Sequence, residues 1–166
     1  YKRQMVLVLM GCGTAVSLSC TSTDPNLAST VIGTAFAFGL SVVAMAYTIG
    51  GISGCHINPA ITLGCLLSGR INGKDAAMYM LFQVIGAFIG SSILWVLTSN
   101  SGLDGSGANT CQEGVSMTGA LLAETVFTFI FVLVVLGTTD EKKGAGNFAG
   151  LAIGLSLVLV HLACIR

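Results

Sequence analysis

Charge is scarce in this sequence. Seven Lys or Arg and seven Asp or Glu make up 8% of 166 residues, where a soluble domain carries about 25%. So few charges cannot cover a water-soluble fold, and a mean hydropathy of +0.88 points the same way, to the bilayer as solvent. The formal charge of zero removes the basic surface that a nucleic-acid partner would need. Metal and redox spacings are also missing. Cys12, Cys20, Cys55, Cys65, Cys111 and Cys164 form no C-x-x-C pair and read as small apolar residues. No nucleophile triad, phosphate loop or metal cluster is present, so neither an enzyme nor a cofactor is expected. Proline occurs only twice. Glycine is plentiful at 22 without a Gly-X-Y period, as in helices packed closely in lipid. No cleavage site follows the short apolar run after Lys2 and Arg3, so that run reads as a membrane helix and not a signal peptide.

The few charges mark the ends of the apolar runs. The sequence predicts helices over Gln4–Cys20, about Ala28–Gly50, Ala76–Thr98, Ser116–Gly137 and Phe148–Ile165. The first is short for a span and is expected to start upstream of Tyr1. A turn is expected at Asp24-Pro25-Asn26, a polar loop over Ser99–Val115 and a charged turn over Asp140–Lys143. Lys and Arg occur at Lys2-Arg3, Arg70-Lys74 and Lys142-Lys143, and are absent from the turn at Asp24 and the loop at Ser99–Val115. The positive-inside rule puts the first three sites in the cytoplasm and the other two outside.

That orientation decides the long uncharged stretch between Asp24 and Arg70. It starts outside and ends inside, so one helix crosses and the rest, Gly51–Gly69, must enter and leave on the cytoplasmic side. Non-helical backbone at membrane depth is tolerated only where it is buried in protein or lines water. The entering half, Gly51–Ile57, has poor helix potential. Asn58-Pro59 supplies an N-cap and a first-turn proline, so a short helix is expected from Pro59 to about Ser68. An Asn-Pro pair alone could equally start a surface helix; the topology favours re-entry. The N-terminus of such a helix carries roughly +0.5 of an elementary charge. Set at the midplane it would repel cations, while the Asn58 amide and the carbonyls of Gly54, Cys55, His56 and Ile57 would serve passing water.

The segment Ser53-Gly54-Cys55-His56-Ile57-Asn58-Pro59-Ala60 resembles the first Asn-Pro-Ala box of the aquaporin (major intrinsic protein) family. Gly11-Cys12-Gly13-Thr14-Ala15-Val16, Ala37-Phe38-Gly39-Leu40, Glu124 within LLAETVFTF, and AIGLSLVLVHL over Ala152–Leu162 resemble the first, second, fourth and fifth helices at agreeing spacing. The resemblance implies an all-α membrane protein: a bundle of tilted helices in inverted repeats with half-helices meeting at the midplane. It implies one pore per subunit of a homotetramer in the cell membrane, selecting by diameter, hydrogen-bond donors and half-helix dipoles. Five of six spans and one of two half-helices are expected here, with a first repeat over about 1–98 and a partial second over about 116–166.

The resemblance assigns Phe38 and His161 to the outer constriction, and Asn58, Pro59, Ala60 and the carbonyls of Gly54–Ile57 to the pore. Glu124 is assigned as a brace accepting backbone hydrogen bonds from the re-entrant loops. An ionisable His in an apolar run is expensive unless it faces water or a partner. Phe38 with the bulky imidazole argues for water, with glycerol or another small neutral solute as the alternative; a secondary transporter or a pore-less membrane protein are readings outside the family. Gly146, Gly150 and Gly154, and Gly86 and Gly90, are expected to be helix-packing faces. Departures are expected too. The second box, its half-helix, the sixth helix and the constriction arginine do not occur in these residues, and Arg166 is not that arginine. These residues alone are therefore expected to form no working pore. Lys2-Arg3-Gln4 stands where small apolar residues are usual, and the first helix lacks the family's glutamate.

Overall fold

The computed structural model describes residues 1–21, 28–103, 107 and 114–164. The expected turn at Asp24–Asn26, most of the Ser99–Val115 loop, Cys111 and Arg166 lie outside them. The described elements are α1 (Lys2–Thr21), α2 (Ala28–Ser53), α3 (Pro59–Leu67), α4 (Gly73–Asn100), α5 (Met117–Thr138), a 3-10 turn (Gly146–Phe148) and α6 (Ala149–Cys164). Among the described residues all regular structure is helical. Four stretches, Ala28–Ile52, Gly73–Asn100, Met117–Thr138 and Gly146–Cys164, are long and apolar enough to cross a bilayer. The fifth long helix, α1, has 20 residues and is made more polar by Lys2, Arg3 and Gln4.

Two helices, α2 and α4, run clearly beyond the ends read from the sequence. α2 runs through Gly50 and Gly51 to Ser53, because the helical ladder is what satisfies backbone groups at membrane depth. The chain breaks only at Gly54 and Cys55, both left-handed at φ +67° and +49°. α4 starts at Gly73, where the Asn72 side chain accepts from the Asp75 N–H at 2.9 Å and its amide donates to the Asp75 carboxylate at 2.8 Å. It ends at Asn100, inside the expected loop.

α3 is the half-length helix. Ile61 and Cys65 of α3, with Ile57 just before it, are buried against Val42 of α2, Phe131 and Val135 of α5 and Leu157 of α6, so it occupies the middle of the bundle. Its end is a Schellman motif: Arg70 N–H bonds the Cys65 carbonyl at 2.8 Å, Gly69 N–H bonds Leu66 at 3.1 Å, and Gly69 has φ +72°. A Cβ on Gly69 would meet nothing within 4 Å, so Gly69→Ala carries only the left-handed backbone penalty. It should lower stability by about 1–2 kcal/mol, read as the midpoint of a reversible SDS titration; an unmoved midpoint contradicts this.

Arg70 then locks the exit of α3 to the end of α5. Its guanidinium donates to the Leu136 carbonyl and the Thr139 hydroxyl, each at 2.8 Å, a cation on the negative end of a helix, and lies 4.0 Å from Asp140. The backbone N–H groups of Lys143 and Lys142, and then Arg70, hold the exposed Asp140 carboxyl below its usual range. Its share of this turn's stability is therefore present above the ordinary carboxylate pKa and is lost as pH falls through the lowered folded value.

The glycine spacing works as packing at Gly86, Gly90, Gly150 and Gly154. Gly86 touches the Tyr1 backbone, Gly90 touches Met5 and Val8, Gly150 touches Ala46 and Tyr47, and Gly154 touches Gly39 and Val43. Gly146 does not belong to the set: nothing lies within 4 Å of its would-be Cβ, and its φ of +56° serves the 3-10 turn. The same contacts fix the register of α1. Tyr1 lies beside Gly86, well inside α4 and about 20 Å from Gly73 at 1.5 Å per residue. Lys2 and Arg3 thus lie in a helix alongside the middle of α4.

Candidate functional site

A cavity of about 1850 Å³ lies between α2, α3, α5 and α6, and its wall includes Phe38, Gly54, Cys55, His56, Ile57, Asn58, Glu124 and His161. Of the residues singled out in the sequence, Pro59 and Ala60 are not on that wall. They act on the backbone: Pro59 opens α3, and the Ala60 N–H donates to the Asn58 Oδ1 at 2.7 Å. With Oδ1 held as the N-cap acceptor, the donor end of the Asn58 amide is the one left for the cavity.

Phe38 and His161 come together. Their rings stack with centroids 4.7 Å apart and planes 16° from parallel, so they form one wall and do not face each other across a gap. The imidazole is fixed from its own helix by a 3.0 Å contact between Nδ1 and the Leu157 carbonyl. A carbonyl only accepts, so that contact puts the proton on Nδ1 and leaves Nε2 as the free ring nitrogen. Phe38 is placed from the other side by Gly11, whose would-be Cβ lies within 2.6 Å of ring carbons. Any side chain at Gly11 would push the ring.

The re-entrant turn is held by a residue the sequence reading passed over. Gln83 of α4 is buried, and its Nε2 donates to the His56 carbonyl at 2.6 Å and to the Thr62 hydroxyl at 3.1 Å. Thr62 is fully buried and bonds back to the Asn58 carbonyl at 3.3 Å. The turn and the first turn of α3 are thereby tied to one amide. His56 packs against Tyr79 at 4.7 Å between ring centroids. Glu124, expected as the brace, is exposed on the cavity wall, and no hydrogen bond joins it to this turn among the described residues. The signal that could have found Gln83 was present: an amide alone in an apolar span has to find partners.

The arrangement presents a mixed polar and apolar wall. It offers no nucleophile paired with a base and, among the described residues, no His, Cys, Asp and Glu cluster suited to a metal. Known proteins agree with the geometry. The sequence model of the major intrinsic protein family matches residues 3–166. Aquaporin Z of Brucella melitensis is 41% identical over 166 residues, covering 96% of this chain and 71% of the relative. Aquaporin Z of Rhodopseudomonas palustris is 41% identical over 168 residues, covering 96% and 68%. Among solved structures, the aquaglyceroporin from Plasmodium falciparum superposes with a TM-score of 0.78 at 27% identity, covering 98% of this chain and 67% of that one. This chain belongs to the major intrinsic protein family, and is a multi-pass membrane channel protein and not an enzyme.

Proposed function

We propose that the intact natural protein carrying this sequence conducts water in preference to glycerol. The observation behind this reading is the stacked Phe38–His161 pair on the cavity wall. Two rigid rings in contact present a bulky, fixed edge, and the free Nε2 of His161 offers water a hydrogen bond. Deeper in the path, Asn58 presents its amide and the capped N-terminus of α3 presents its positive end, so a cation meets repulsion where water meets a donor. The two Aquaporin Z relatives favour water. The aquaglyceroporin shares the fold at lower identity, so the fold by itself does not choose.

His161→Gly tests the reading. Removing the imidazole opens the wall beside Phe38, and glycerol uptake into proteoliposomes should rise at least about tenfold, the equivalent of about 1.4 kcal/mol less barrier. Water permeability should change by less than about threefold, under 1 kcal/mol of barrier. If the unmodified protein already takes up glycerol as readily as water, the channel is a small-solute facilitator and the preference for water is wrong.

A further inference from the structure

Arg3 is a permanent charge in an unusual place. It belongs to α1, beside the middle of α4. An ionisable residue at such depth is costly unless it has a task. Its guanidinium lies over the Tyr79 ring, 5.6 Å from the centroid. Its positive field reaches both Cys55 and His56. Cys55, His56 and Tyr79 all line the channel cavity, while Arg3 itself lines a smaller side pocket behind His56 and Tyr79. The charge therefore stands one side chain behind the wall of the re-entrant turn. The turn it touches is strained at Cys55, which is left-handed at φ +49° without being glycine.

We infer that Arg3 is a specificity-determining residue: a fixed positive charge behind the re-entrant turn that strengthens the exclusion of cations from the path. It adds to the α3 N-terminus and acts from the opposite side of the turn. The inference rests on the chain being a channel but not on its preference for water over glycerol. A unit charge within about 10 Å of the path, at an effective dielectric near 20, changes cation entry by roughly tenfold. Neutral molecules should be almost indifferent to it.

The test is made on the intact natural protein in proteoliposomes, with cation leak driven by a potassium diffusion potential and water permeability read by stopped-flow light scattering. Arg3→Gln should raise the leak about tenfold and leave water permeability within about twofold. Arg3→Lys, which keeps the charge but loses the planar stack on Tyr79, should retain the low leak. Equal leak in Arg3→Gln and the unmodified protein overturns the proposal. So does an Arg3→Lys variant as leaky as Arg3→Gln, which would make Arg3 a brace and not a barrier. Arg3→His covers the case in which Arg3→Gln does not reconstitute, since one folded protein then carries the charge at pH 5.5 and lacks it at pH 8.5. Its potassium leak should be higher at the upper pH by more than any change in the unmodified protein, whose own titrating His56 and His161 supply the background. No excess over that background also overturns the proposal.

Discussion

Gln83→Glu, a change of one atom, is expected to damage the channel more than Gln83→Leu does. The amide nitrogen that holds the His56 carbonyl at 2.6 Å and the Thr62 hydroxyl at 3.1 Å would become an oxygen. An ionised carboxylate has nothing to donate, so two acceptors would meet at a buried site, and burying an unpaired charge is far more expensive than losing a hydrogen bond. Leucine removes the same donor and strands the His56 carbonyl, at about 1–3 kcal/mol. It also removes the Gln83 Oε1, which is buried without a hydrogen-bond partner, and that offsets part of the loss. In SDS titrations the order of stability should be unmodified, then Gln83→Leu, then Gln83→Glu. Water permeability of Gln83→Glu at pH 8 should fall at least about tenfold, the equivalent of about 1.4 kcal/mol on the barrier. Acid should restore part of it, because a protonated carboxyl recovers one donor for the His56 carbonyl. A Gln83→Glu channel as stable and as permeable as the leucine variant would show that the amide does not hold the turn.

The re-entrant helix was legible because its signals are local. Asn58 and Pro59 are adjacent, and charge at Asp24 and Arg70 with none between forces an even number of half-crossings after α2. Asn58 does cap Ala60 and Pro59 does open α3. The residue that sets the turn in place was not legible, because its partners are distant in sequence: Gln83 reaches back to His56 and Thr62, and the contact of Arg3 with Tyr79 is hidden for the same reason. A lone amide or guanidinium announces that it needs a partner but not which one. Helix ends slipped for another reason. Gly51–Ile57 read as poorly helical by propensity, yet α2 continues to Ser53, because in lipid the backbone has no solvent to turn to and propensity yields to the ladder. Lys2 and Arg3, read from the sequence as preceding the first helix, lie within it beside Gly86.

Glycine shows the same division between pattern and place, and gives the second large effect. Gly154 and Gly137 both lie in helices, and only Gly154 belongs to the four-residue glycine spacing. Their surroundings differ. A Cβ on Gly154 would stand 2.7 Å from the Gly39 carbonyl oxygen and 3.1 Å from the Val43 nitrogen, and one on Gly39 would stand 2.6 Å from the Gly154 carbonyl oxygen. The contact is backbone on backbone and reciprocal, so no side-chain rotation relieves it, and α2 and α6 must separate. Around the Gly137 Cβ position nothing lies within 4 Å. Gly154→Ala should therefore cost about 1–3 kcal/mol as an overpacked contact, and Gly154→Leu more. Gly137→Ala should be neutral or gain up to about 1 kcal/mol from helix propensity. The separation reaches the channel as well. Gly39 and Gly154 flank Phe38 and Leu157, and the Leu157 carbonyl orients the His161 ring, so prying this crossing apart pulls the stacked pair from both sides. Gly154→Leu should lose the His161-dependent discrimination against glycerol together with its stability. A variant that is unstable in SDS yet keeps full discrimination would mean that the Phe38–His161 stack is set within each helix and not by the crossing.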